Sequence, residues 1–506
     1  MTAVLRTPAA PPTVRDEPGG SWAAVAALAL FETRRLLTRV PVLLAFAVYL
    51  GWTVWRSGKA WGGYPALQDA DRATQTAPML VGLAVLLCVN HAALRSRRHG
   101  TEQHFGVLAL PPWRRTAAHA LSVVAAALLT GVCVAAQFGW EALRPGAIGR
   151  GSMGELLVGP LTVLLFGLAG LLVAGLVRSA LAAPLLVVFC LFLSVFGTGS
   201  GEGWERWLVP VVVESTSNTL PSDLLGRPAG WHALYLAGLA LSLGLLAVLM
   251  AGGRKPVVVA GVAGAVAMTL LGGVAQARGD SPELVRARER ATLDPEQVQS
   301  CARRDGSTYC AFPEWQPRVD DWAGVVDRVR SLAGGRAQVQ DVVVRQRVDA
   351  RYGLTGDAAL TPLERPHEVT VGTQWGGNRV PEFSAAVAGV LVAGNEKAST
   401  SICDGRIVTV MWLALGWESD PMAALRRVRL NDTVTGSDSV LQPTDGLYMT
   451  AAQTEVLRAL FERPRGEVTA RVKDRWAELT SPKVTAARAA QLLGVPAPEG
   501  DDKCLD

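Results

Sequence analysis

The chain has 506 residues, half of them apolar and 18% charged, with a formal net charge of +5. A mean hydropathy of +0.25 is too high for an ordinary soluble protein and too low for one wholly embedded in lipid. The basic residues lie beside apolar runs, where membrane orientation explains them, so the charge is no nucleic-acid signal and no nucleic-acid partner is expected.

The sequence divides. Met1–Gly279 holds 21 Lys and Arg against 12 Asp and Glu, whereas Asp280–Asp506 holds 28 against 32. We therefore expect an all-α polytopic membrane bundle of about seven transmembrane helices, followed by an α+β extracytoplasmic domain. The expected boundaries are a disordered cytoplasmic tail over residues 1–20, a membrane domain over 21–278 and an outer domain over 279–506. The tail is rich in Pro, Ala and Thr and lacks the pattern of a cleavable signal peptide.

From Ser21, SWAAVAALALFETRRLLTR reads as a helix with an apolar first half and a basic second half. It suits either an interfacial helix or an extension of the first span. Seven apolar runs follow, near Val40–Trp55, Ala77–Leu94, Thr116–Trp140, Leu156–Val177, Ser179–Gly197, Trp231–Gly252 and Pro256–Gln276. A span needs about 20 residues. The fourth and fifth runs form one tract that would be about 65 Å long as a single helix, so it must turn near Arg178–Ser179.

The loop from Arg95 to Arg115, RSRRHGTEQHFGVLALPPWRR, carries five arginines and two histidines. With the N-terminus inside, thirteen Lys and Arg fall on the inner side and seven on the outer. That bias orients the chain, and an odd span count then places everything after Gln276 outside. Cys88, Cys133 and Cys190 lie within apolar runs. Cys301, Cys310, Cys403 and Cys504 lie in the outer part, where disulfides persist. Cys301 and Cys310 sit on the arms of a hairpin turning at Asp305-Gly306, which favours a disulfide across it. Cys403 with Cys504 then follows by elimination from the three possible connectivities. In the outer part, helices are expected at Trp322–Leu332, Phe383–Ala393, Ile402–Leu415 and from Thr450 to Leu493. Strands are expected at Val339–Val348 and Glu368–Thr373.

Catalytic patterns are scarce. There is no Walker A sequence and no HExxH, and His367 is the only histidine of the outer part. We expect no catalytic residue, no cofactor and no metal site. The ionisable residues well within a run are His91 and His119, each within about a turn of the inner interface, and the absence of such groups from the middle of the spans argues against a proton-coupled transporter or an ion channel. Gly167, Ala169, Gly170, Gly238, Gly244, Gly261 and Gly264 suit close helix approach.

Glu32-Thr33-Arg34-Arg35-Leu36-Leu37 runs into the first span. Thr101-Glu102, a short apolar helix and Leu110-Pro111-Pro112-Trp113-Arg114-Arg115 join the second span to the third. This layout resembles ABC-2 type ABC transporter permeases of the actinobacterial kind, over roughly Ser21–Gly252. The resemblance implies a multi-pass protein of the bacterial plasma membrane, with a cytoplasmic N-terminus. It further implies a separate ATPase subunit that binds ATP and docks on the 95–115 loop, and a second permease half, identical or homologous. Glu102, Gln103, Phe105, Leu108, Leu110 and Trp113 would meet the ATPase, while Arg114 and Arg115 would anchor the third span at the lipid headgroups. The seventh run and the large outer domain depart from the six-span family core. Two other readings stand beside it. One is a membrane-anchored receptor or sensor whose outer domain binds a ligand or peptide; the other is a membrane enzyme using a carboxylate pair such as Asp320 and Asp321.

Overall fold

The computed structural model describes residues 18–59, 64–100, 110–177, 179, 181–196, 203–212, 219–355, 360–377 and 379–499. Among them, six helices are long and apolar enough to cross a membrane. Helix α1 (Pro18–Leu37) precedes α2 (Val40–Lys59), and a short α3 (Leu67–Ala73) leads into α4 (Pro78–Ala93). Then come α5 (Pro112–Ala142), α6 (Met153–Leu176), α7 (Ala182–Phe196), α8 (Ala229–Met250) and α9 (Pro256–Gln276).

The bundle has two ends. At one, which we call the loop end, Arg97 of the 95–98 helical turn donates to the Ala174 carbonyl and Lys255 lies over the Trp113 ring. At the other, the domain end, the segments around residues 64–75, 148–155 and 219–229 meet the C-terminal domain. The fifth apolar run differs from expectation. It yields α7, 15 residues long, which is about 22 Å and short of a full span. Pro184 sits in its first turn, where proline is tolerated, and the helix starts there rather than at Ser179. The chain nonetheless changes ends over this stretch. It is at the loop end at Ala174 and at the domain end at Trp207, whose carbonyl accepts from Gln276 Nε2 at 2.9 Å.

Exposed Leu43, Leu44, Val48, Leu128, Val132, Val257 and Leu270 give the bundle an apolar flank suited to lipid rather than water. Trp52, Trp55, Trp140, Trp204 and Trp231 are exposed near the domain end, as interfacial tryptophans are. Small residues let backbones approach. A Cβ on Gly170 would lie 2.4 Å from the Leu86 carbonyl oxygen, and one on Gly238 would lie 2.5 Å from the Thr269 nitrogen. Gly264 has no such neighbour. Helix α1 is not a straight extension of α2. The helix breaks at Thr38–Arg39, Pro41 restarts it, and α1 packs on the start of α5 through Val25, Ala29 and Ala118.

The C-terminal region begins with α10 (Pro282–Leu293) and holds a four-stranded sheet of order β1-β2-β3-β4. Strands β1 (Ser300–Arg304) and β2 (Ser307–Ala311) form the expected hairpin. Asp305 (φ 46°) and Gly306 (φ 85°) both take the positive φ that a two-residue turn of this hand needs. Cys301 and Cys310 are register partners and are disulfide-bonded. Cys403 is also disulfide-bonded; Cys504 lies outside the described residues, and Cys88, Cys133 and Cys190 are in no disulfide. Helix α11 (Val319–Leu332) leads to β3 (Val343–Gln346), parallel to β2, and β4 (Glu368–Val371) adds parallel to β3. The strand expected from Val339 is shorter, because Gly335–Val339 closes a 3-10 turn. Helices α12 (Arg379–Ala393) and α13 (Arg406–Leu415) are buried through most of their length, as their unbroken apolar faces require. A hairpin of β5 (Asp438–Val440) and β6 (Leu447–Met449) precedes α14 (Ala451–Phe461). Thr450 and Gln453 cap α14 reciprocally.

The core of this domain takes in Ile148, Leu220 and Leu224 from the loops of the bundle. Two buried arginines fasten the joint. Arg318, 1% exposed, donates from Nη2 to the carbonyls of Tyr64 (2.8 Å) and Pro65 (3.1 Å). Arg288 donates to the carbonyls of Leu224 (2.8 Å) and Leu225 (2.7 Å) and pairs with Asp280 at 2.5 Å. Charged hydrogen bonds contribute roughly 1.5–3 kcal/mol each and leave costly orphans when removed. Arg318→Ala is therefore expected to lower stability by about 3 kcal/mol. It should also raise amide hydrogen exchange over residues 64–68 in denaturant and exchange experiments on the full chain.

Candidate functional site

The residues flanking the 95–115 loop fix the loop end of the bundle. Arg95 Nη2 pairs with Glu32 Oε1 at 2.6 Å, and Glu32 is 4% exposed on α1. Arg97 Nη1 donates to the Ala174 carbonyl at 3.1 Å, at the end of α6. Arg98 Nη1 lies 2.9 Å from His91 Nδ1. On the other flank, Pro111 and Pro112 open α5, a place where proline's fixed φ suits a helix start. Trp113 meets Trp22 of α1 edge-on with centroids 6.2 Å apart, and Lys255 of the α8–α9 turn lies 5.2 Å over its ring. A cleft of about 1590 Å³ opens between these ends, rimmed by Glu32, Arg95, Arg97, His99, Arg115 and His119.

The sequence-predicted residues fall in two groups. Glu102, Gln103, Phe105 and Leu108 lie outside the described residues. Leu110 is half-buried just before α5, and Trp113 is held between α1 and the α8–α9 turn. Arg114 lies 5.2 Å over the Trp113 ring, and Arg115 lines the cleft. The Glu32–Arg95 pair is a feature sequence reasoning missed. The lone acid in an otherwise basic helix end was the available signal.

The domain end carries a belt of buried polar groups. Glu155 and Arg227 pair at 2.6 Å with side chains 5% exposed, and Gln75 donates to the same carboxylate. Asp71 Oδ2 accepts from the Ser152 amide at 2.7 Å. His232, at the start of α8 and also missed, places Nδ1 3.0 Å from Gln276 Oε1 and Nε2 3.2 Å from the Pro210 carbonyl. The Glu155–Arg227 ion pair and the hydrogen bonds of Asp71 and His232 tie α3, α6, α8 and α9 together.

No known family, curated protein or solved structure matches this chain. The site is therefore read from its geometry.

Two of the clefts in and under the C-terminal domain share a wall. The first, about 700 Å³, sits where α2, α3 and α5 meet the domain, among Arg56, Tyr64, Asp69, Glu141, Arg318 and Trp375. The second, about 790 Å³, lies at the carboxyl ends of the parallel strands β3 and β4. Thr373, Gln374 and Trp375 line both. Trp375 is 3% exposed and meets Tyr64, Trp322 and Phe383 edge-on at 5.7–6.2 Å. Asp320 and Asp321 do not converge on the second cleft. Asp320 pairs with Arg304 at 2.8 Å, and Asp321 has Arg318 as its main opposing charge.

In the second cleft, Glu382 pairs with Arg379 at 2.6 Å in the first turn of α12. Burial raises the Glu382 carboxyl above its ordinary range, and Arg379 only partly opposes this. The fold therefore holds a proton that the unfolded chain releases near pH 4.3. Stability from this group is fully present below that pH and is lost as pH rises through the raised folded value. Glu382→Gln is expected to flatten that fall. Urea midpoints of the two proteins measured from pH 4 upward should show wild type losing more stability than the variant.

Proposed function

We propose that this chain is the membrane subunit of an ABC-2 type exporter in a bacterial plasma membrane, driven by a separate ATPase subunit. The observation that carries the reading is the way both flanks of the 95–115 loop grip the bundle. Arg95 holds α1, Arg97 holds the end of α6, and Trp113 holds α1 and the α8–α9 turn. A partner pressing on residues 101–110 would displace these helix ends together. Packed helices are stiff, so the displacement would carry along α6, α8 and α9 toward the domain end. Pairing with a second permease half, a cytoplasmic loop end and an outer C-terminal domain complete the proposal. ATP would be bound by the partner, leaving this chain to couple and to form the path.

The receptor reading is favoured by one observation, the cleft at the carboxyl ends of β3 and β4. It would place the function in the domain and leave the loop end without a partner.

The discriminating experiment is co-purification from native membranes. Trimming residues 101–108 while keeping Pro111–Trp113 should abolish recovery of an ATPase subunit with the full chain. Unchanged recovery would sink the proposal. Glu32→Gln, which loosens the Arg95 anchor, is expected to keep the ATPase bound. Substrate-stimulated ATP hydrolysis should nevertheless fall at least about fivefold, since a buried charge pair couples by about 1 kcal/mol or more.

A further inference from the structure

The 790 Å³ cleft of the C-terminal domain is built by elements far apart in the chain. Arg347 and Asp349 follow β3, Thr373–Trp375 follow β4, Arg379 and Glu382 open α12, and Gln442 and Thr444 follow β5. Gly376 (φ 98°) and Gly377 (φ 53°) make the tight turn from β4 into α12, so the helix begins at the rim. The cleft opens beyond the carboxyl ends of β3 and β4, where the loops that follow the two strands diverge.

The side chains in the cleft point to a ligand class. Arg347 is anchored through Nη1 alone, to the Thr361 carbonyl at 2.8 Å and Thr370 Oγ1 at 3.1 Å, with Glu396 at 3.8 Å. Its other nitrogen donors have no protein partner among the described residues. A guanidinium steadied at one corner presents a planar fork suited to a carboxylate. Glu382 is already occupied by Arg379, so the carboxylate that opposes Arg347 is Glu396, which meets it at the Nη1 corner only. Asp349 is likewise turned to Arg351 at 2.6 Å. Gln442 and Thr444 are more than nine-tenths buried, and among the described residues Gln442 Nε2 and Thr444 Oγ1 have no hydrogen-bond partner. Buried polar groups in that state favour a polar ligand atom beside them. Trp375 and Phe383 give the wall an apolar, aromatic part.

We propose that this cleft binds a small carboxylate-bearing ligand with an amide-containing, partly apolar body. The carboxylate meets Arg347, the amide meets Gln442 and Thr444, and the apolar part lies against Trp375. The inference does not rest on the transport reading; it holds for a permease and for a receptor alike.

The test uses the full chain in lipid nanodiscs and equilibrium dialysis with radiolabelled N-acetylphenylalanine and N-acetylphenylalaninamide. The acid is expected to bind saturably at one site per chain, and the amide at least tenfold more weakly. Arg347→Lys, which keeps the charge but loses the fork, should weaken the acid about tenfold. Thr444→Val, which keeps the volume, should weaken both probes severalfold. An unchanged urea midpoint in the Thr444→Val protein separates a lost contact from a lost fold. Equal binding of acid and amide, wild-type affinity in both variants, or no saturable binding of the acid up to 10 mM would each overturn the proposal.

Discussion

The joint between bundle and domain depends on two guanidinium groups that satisfy carbonyls from another part of the chain. Arg318 reaches across 254 positions to Tyr64 and Pro65, and Arg288 reaches back to Leu224 and Leu225. Those carbonyls lie in loops that turn the chain over at the domain end, where helix and sheet ladders leave groups unmade. Without the arginines the carbonyls of Tyr64, Leu224 and Leu225 would lose these donors, whereas Pro65 would keep the Ile148 amide. With them, Ile148, Leu220 and Leu224 join the domain's apolar core, and the bundle and domain share one packed boundary.

This makes the two ends of the bundle unlike. The domain end is held by paired buried charges, by Arg227 stacked 5.1 Å over Trp207, and by the arginine joint. Among the described residues the loop end is held by the Glu32–Arg95 pair, the Arg97–Ala174 hydrogen bond and the contacts of Trp113, set around a cleft of about 1590 Å³. Any force applied at Arg95 or Trp113 is therefore felt first as tilt of α1, α6 and the α8–α9 turn.

Much of this fold was legible because its signals are local. Long apolar runs mark the spans, Asp305-Gly306 marks the hairpin, and the helical pattern from Thr450 onward marks the last helices, the first of which the structure caps with Thr450 and Gln453. The shortfalls have local causes too. Pro184 set the start of α7, and the Gly334–Gly335 pair, packed against Trp476, replaced the first part of the expected strand with a 3-10 turn. The site was far less legible. Glu32 and Arg95 are 63 positions apart, and the second cleft gathers residues from 347 to 444. No spacing rule reaches that distance; only the parallel pairing of β3 and β4 brings those loops together.

The strip Thr373–Trp375 is the one wall common to both clefts, and Trp375 is too tightly packed to move alone. Its ring touches Tyr64 from the bundle side and Phe383 from the domain side. Close-packed aromatic groups shift between discrete arrangements rather than deforming by degrees. A ligand that favours one arrangement in the domain cleft would therefore favour one arrangement at the junction. Linkage makes the effect mutual: the state of the bundle would alter ligand affinity by the same factor. The arginine joint allows this coupling, because Arg318 grips the carbonyls of Tyr64 and Pro65 while the Tyr64 ring leans on Trp375. Arg318 also lies 5.7 Å over the Tyr64 ring and Asp321 hydrogen-bonds to the same side chain, so backbone and ring are held together and the strip between the clefts would shift with the joint rather than apart from it.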